Sequence, residues 1–109
     1  MWSRGAVAPQ LWPLEMLNGL LTAERRGRLD ASARVRMTRS LADPPIRIDE
    51  ETAALAWTAI SELAERHRLT ANDAAYLELA HRLELPLATA DDALATAAES
   101  AGVALLETS

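Results

Sequence analysis

Residues 69–94, LTANDAAYLELAHRLELPLATADDAL, carry Asp73 early in an alanine-rich helix and Asp91–Asp92 directly after an apolar run. Glu15 stands in a comparable place, two residues after Pro13 in the first helical segment. Carboxylates at helix starts serve two chemistries. In capping, a side-chain oxygen accepts an orphan backbone N–H and complements the positive end of the helix dipole. In metal binding, one hard cation draws several carboxylate oxygens together. Taken singly, each acid has a structural role. Thr70 and Asp73 have capping-box spacing, Asp91 or Asp92 suits an N-cap, and Glu15 suits a first turn.

The elements that position these acids follow from periodicity and punctuation. GAVAPQL (5–11) is a short β-prone run. WPLEMLNGLLTAERRG follows as a helix with Pro13 at its start and Gly27 closing it, and Leu14, Leu17, Leu20 and Leu21 at core-facing spacing. A second helix begins at the cap Asp30 and stops at Pro44–Pro45. PIRID (45–49) is a strand ending on a further cap, Asp49. A long helix is expected over about 50–68, with Ala53, Ala56, Trp57, Ile60, Leu63 and Ala64 as its apolar stripe. Thr70 caps the helix 71–83. LPLATA (85–90) is expected as a buried strand, DDALATAAESAG as a helix closed by Gly102, and VALLE (103–107) as a strand. Strand, helix, strand in that order is the βαβ pattern of a parallel sheet, so the class is α/β with helices covering the sheet. In such sheets ligands bind at the carboxyl edge of the strands. Asp91 directly follows a strand and belongs there. Helix polarity is expected to set Asp73 at the opposite edge if its helix simply runs antiparallel to the strand it precedes, so spacing alone does not bring all three acids together.

Composition narrows the functions. With no cysteine there is no disulfide framework, thiolate zinc site or thiol nucleophile. No apolar run approaches the roughly 18 residues of a membrane span, and MWSRGAVAPQ lacks a signal-peptide core, so cytoplasm is the expected compartment. Neither a dinucleotide fingerprint, a P-loop nor a nucleophile elbow is present. His67 and His81 lie fourteen positions apart and are expected at surface or boundary positions, while Trp2, Trp12 and Trp57 are expected as core or interface anchors. The net charge of −5 argues against nonspecific nucleic-acid binding by the whole chain. All eleven basic residues are Arg, however, and Arg25, Arg26, Arg28, Arg34, Arg36 and Arg39 fall within fifteen positions offset only by Asp30. Such a run is either a solvated helical hairpin or a patch that meets phosphates or an acidic partner.

The segments APQLWPLEMLNGLLTAERRGRLD, PPIRIDEETA and RLTANDAAYLELAHRLELPLATADDALATAAESAGVALL together resemble the PIN-domain ribonucleases, and more narrowly the VapC-type toxins of toxin–antitoxin pairs. The most specific pieces are L-T-x-x-D-A-x-Y-L-x-L-A and L-P-L-A-T-x-D. The resemblance implies one PIN-like domain over 1–109 that cleaves single-stranded RNA with Mg²⁺ or Mn²⁺, pairs with a small antitoxin and forms dimers. It implies Glu15, Asp73 and Asp91 as catalytic metal ligands, Asn18 and Thr89 as orienting groups, and Asp92 as a helix-start charge outside the site. Arg25, Arg26, Arg28 and Arg36 become candidates for RNA or partner contact. The family's first acid sits on an N-terminal strand, and this chain has no Asp or Glu before Glu15. Three of four acids match, and the domain is expected to be incomplete at its N-terminus. Two rival readings are a catalytically inactive PIN remnant serving as an interaction module and an unrelated small α/β domain with well-capped helices.

Overall fold

The computed structural model describes residues 6–42 and 46–106. Their order is β1 (Ala6–Pro9), α1 (Trp12–Arg25), α2 (Ala31–Ala42), β2 (Ile46–Asp49), α3 (Thr52–Leu55), a π-helical turn (Ala56–Ile60), α4 (Ser61–His67), α5 (Ala71–Leu83) and α6 (Asp92–Ser100). The fold is helix-dominated with a small parallel two-stranded sheet, as expected for an α/β PIN-like architecture. The chain divides into two compact units, Met1–Ile48 and Asp49–Ser109. Trp2, Pro44–Pro45 and residue 107 of the expected last strand lie outside the described residues.

In the first unit, β1 pairs with β2, and Ala8 and Pro9 are buried. Helix α1 ends in a Schellman motif. The Gly27 N–H bonds Glu24 O at 3.0 Å, the Arg28 N–H bonds Ala23 O at 2.9 Å, and Gly27 supplies a φ of 73°. Asp30 caps α2 as expected, its Oδ1 accepting from the Ala33 N–H at 2.7 Å. The stripe expected on α1 is only half realised. Leu17, Leu20 and Leu21 are half-buried, Leu14 is 67 % exposed, and no residue of α1 is fully buried.

The second unit holds a core of Leu77, Ala80, Leu87, Leu94, Ala97, Ala98 and Val103. Thr70 caps α5 by accepting the Asp73 N–H at 3.1 Å. Helix α6 ends on Gly102 in a second Schellman motif, with the Val103 N–H bonded to Ala98 O at 2.8 Å. Three expectations change. The long helix 50–68 is interrupted by the π-helical turn, whose wider hydrogen-bonded loop takes in one more residue than an α-turn. Its inward side therefore runs through Leu55, Ala56, Ile60, Leu63 and Ala64, leaving Ala53 outside and Trp57 89 % exposed. Trp57 is not a core anchor. The expected strands 85–90 and 103–107 contract to one parallel bridge between Leu87 and Leu105. Only Leu87 of the run 85–90 is buried, because the remaining side chains have no second layer to cover them.

The third change concerns edges. Leu87 N–H bonds Ala104 O at 2.9 Å and Leu106 N–H bonds Leu87 O at 2.8 Å, so the two extended segments run side by side in one direction. Each is entered from the carboxyl end of a helix, α5 or α6, and both junctions line one cavity of about 620 Å³ through Ala80–Arg82, Glu84–Pro86 and Gly102–Ala104. A helix that runs antiparallel to the strand after it begins where that strand ends. On that geometry helix polarity does not by itself separate Asp73 from Asp91.

Candidate active site

Asp91 is the N-cap of α6, and its Oδ1 accepts the Leu94 N–H at 2.8 Å. Its own N–H donates to Thr89 Oγ1 at 3.0 Å. Thr89 thus fixes the backbone that aims Asp91, and the cap bond fixes the carboxylate plane. The second carboxylate oxygen belongs to a side chain in solvent reach, since Asp91 is exposed. Asp73 is half-buried in the first turn of α5. Both acids stand at helix amino ends, Asp91 as the N-cap of α6 and Asp73 in the first turn of α5.

Glu15 lies in the first unit, half-buried in the first turn of α1, where its N–H bonds Leu11 O at 3.0 Å. Asn18, one turn later, is exposed. Asp92 opens α6 and lines a groove of about 400 Å³ with His67, Thr96 and Ser100. His67 is half-buried and His81 exposed, as expected of boundary and surface positions.

Among the described residues, no group of three or more His, Cys, Asp or Glu side chains comes together closely enough to hold a metal ion. The donors nevertheless suit one class of ion. Mg²⁺ keeps several waters and is commonly bound through one or two carboxylates plus substrate phosphates. Asp73 and Asp91 each offer hard oxygen donors of that kind, whereas a softer metal would want His or Cys.

A polar constellation that sequence reading missed sits at the other end of α5. Arg82 uses all five of its N–H donors. Nε and Nη2 grip Glu78 Oε2 and Oε1 at 2.8 and 3.1 Å. Nη1 and Nη2 grip Asp49 Oδ1 and Oδ2 at 3.2 and 2.8 Å, and Nη1 also reaches Glu51 Oε2 at 3.0 Å. The hydrogen bonds from Arg82 hold the Asp49 carboxyl below its usual range, against the opposing effect of burial. Glu78 first, then Asp49, raises the Arg82 guanidinium above its ordinary value. Asp49, expected as a helix cap, spends its carboxylate chiefly on Arg82, although it also accepts from Thr52 and the Glu51 backbone. The i,i+4 spacing of Glu78 and Arg82 was legible in the sequence. The partner thirty-three residues away was not.

No helix among the described residues is long and apolar enough to cross a membrane. No curated protein matches the chain in sequence. The sequence model of the PIN domain matches residues 4–100, nearly the whole chain and both of its units. The chain belongs to the PIN-domain family, whose members are generally metal-dependent nucleases that bind RNA.

Proposed function

We propose that this protein is a divalent-metal-dependent endoribonuclease of the VapC-like toxin kind, cutting single-stranded RNA in the cytoplasm and held in check by a small antitoxin. The observation that carries the reading is the PIN-domain match over residues 4–100, with Asp73 in the first turn of α5 and Asp91 as the N-cap of α6. In this reading Glu15, Asp73 and Asp91 hold Mg²⁺ or Mn²⁺ within a single domain spanning 1–109. When bound, the ion supplies positive charge against the scissile phosphate and acidifies the attacking water. Thr89 keeps Asp91 in register through its hydrogen bond, and Asn18 orients a phosphate oxygen beside Glu15.

Cleavage of a labelled single-stranded RNA in Mg²⁺ or Mn²⁺ tests the proposal. Activity that disappears in EDTA and in Asp91→Asn supports it, and cleavage that survives Asp91→Asn overturns the site assignment. A second reading, an inactive module that binds an antitoxin or another copy of itself, is favoured by one feature of the first unit. Leu14, Met16, Val35 and Met37 are exposed, and α1 buries no residue fully. Exposed apolar side chains of this kind favour a protein partner.

A further inference from the structure

We propose that the hairpin formed by α1 and α2 is a binding surface for the sugar-phosphate backbone of single-stranded RNA, with Arg26, Arg28 and Arg36 as its principal contacts; this rests on the ribonuclease reading. Arg25, Arg26, Arg28, Arg36 and Arg39 are all exposed. Of the hairpin's three acids, the two that lie within the arginine run are already engaged, and Glu15 stands at the far end of α1. Glu24 pairs with Arg34, and Asp30 caps α2 through Ala33. Arg36 donates to the neutral Ser32 hydroxyl at 2.9 Å, which leaves its charge uncompensated. Arg25 and Arg39 stand in the last turns of α1 and α2, where a cation is also favoured by the helix dipole. Arg26, the C-cap of α1, shares that position, whereas Arg28 and Arg36 have no such structural explanation.

Charge is divided sharply along the chain. Residues 1–48 hold eight Arg against four acids, a net of +4, and residues 49–109 hold three Arg against twelve acids, a net of −9. Asp73 and Asp91 lie in the strongly acidic stretch 49–109, and the hairpin lies in the stretch of net positive charge. The exclusive use of Arg suits phosphate, which the planar guanidinium grips with two parallel hydrogen bonds. With no aromatic residue between positions 24 and 39, the patch has no base-stacking platform, so backbone contact without sequence preference is expected.

The test is fluorescence anisotropy of the full chain with a labelled 20-nucleotide single-stranded RNA in EDTA, titrated against salt. The variant combining Arg26→Ala, Arg28→Ala and Arg36→Ala should bind roughly tenfold more weakly and lose about 2 from the slope of log K against log salt, near 0.7 per phosphate contact. The three Arg→Lys changes should restore most of that slope, and Arg66→Ala, a solvent-exposed arginine of the second unit, should bind like the parent. An unchanged slope in a triple alanine variant that melts like the parent overturns the proposal. So does loss of binding to a polyglutamate peptide with RNA binding intact, which would make the hairpin a site for an acidic protein. Hairpin-dependent RNA binding without metal-dependent cleavage would sink the nuclease reading alone. Cleavage dependent on Asp91 with hairpin-independent binding would sink this one alone.

Discussion

Replacing Arg82 by Met removes the cation that a buried carboxylate, Glu78, shares with a largely covered one, Asp49. The Asp49 and Glu78 side chains are 10 % and 7 % exposed, so neither can be rehydrated without movement of the surrounding chain. Glu51, 65 % exposed, loses a partner at the surface and contributes under about 1 kcal/mol. Breaking a buried pair by deleting one partner costs about 3–5 kcal/mol. The Arg82 side chain is itself 23 % exposed, which lets water reach the orphaned acids and puts the expected loss near the lower end, about 3 kcal/mol. Against a total stability of roughly 5–15 kcal/mol this is a large fraction, and it corresponds to a fall in Tm of about 12–24 °C for a chain of this size. Thermal and urea unfolding followed by circular dichroism would read it. Adding Asp49→Asn and Glu78→Gln to Arg82→Met should recover most of the loss, because the stranded charges are then gone. A loss under about 1 kcal/mol for Arg82→Met alone would refute the reasoning by showing that solvent already compensates both acids.

Acid should erode the same cluster. The folded Asp49 pKa lies below its unfolded value, so its contribution is fully present above about pH 4 and is lost as pH falls through the folded value; urea midpoints at pH 6 and pH 3 should differ less in Asp49→Asn than in the parent. Glu84 sits at φ 54° beyond the end of α5, a left-handed conformation that disfavours side chains. Glu84→Gly should raise stability by up to about 1 kcal/mol in the same unfolding assay, and a destabilised variant would mean that the side chain makes a compensating contact. Asn caps helices as well as Asp, so Asp91→Asn should leave the melting temperature within a few degrees while removing metal-dependent RNA cleavage. A collapse of stability in that variant would assign Asp91 a purely structural role.

What could be read along the chain was whatever depends on near neighbours. Thr70, Asp30 and Asp91 cap helices, and Gly27 and Gly102 end them, because each motif is closed by backbone groups within five residues of the signal. The α/β class and the helix-start placement of Glu15, Asp73 and Asp91 followed from the same local chemistry. Which edge an acid occupies is instead a property of connectivity. Glu15, Asp73 and Asp91 belong to three different helices, and how they come to lie relative to one another is something periodicity does not report. Apolar runs did not say how long a strand would be, since LPLATA pairs only at Leu87, where Leu105 lies alongside. Helical periodicity put Trp57 inside, and the π-helical turn left it outside. Arg82 was one arginine among eleven until the fold brought Asp49 and Glu78 to the two edges of its guanidinium. Long-range electrostatic pairing depends on distances that only chain folding creates, and tertiary structure alone could decide it.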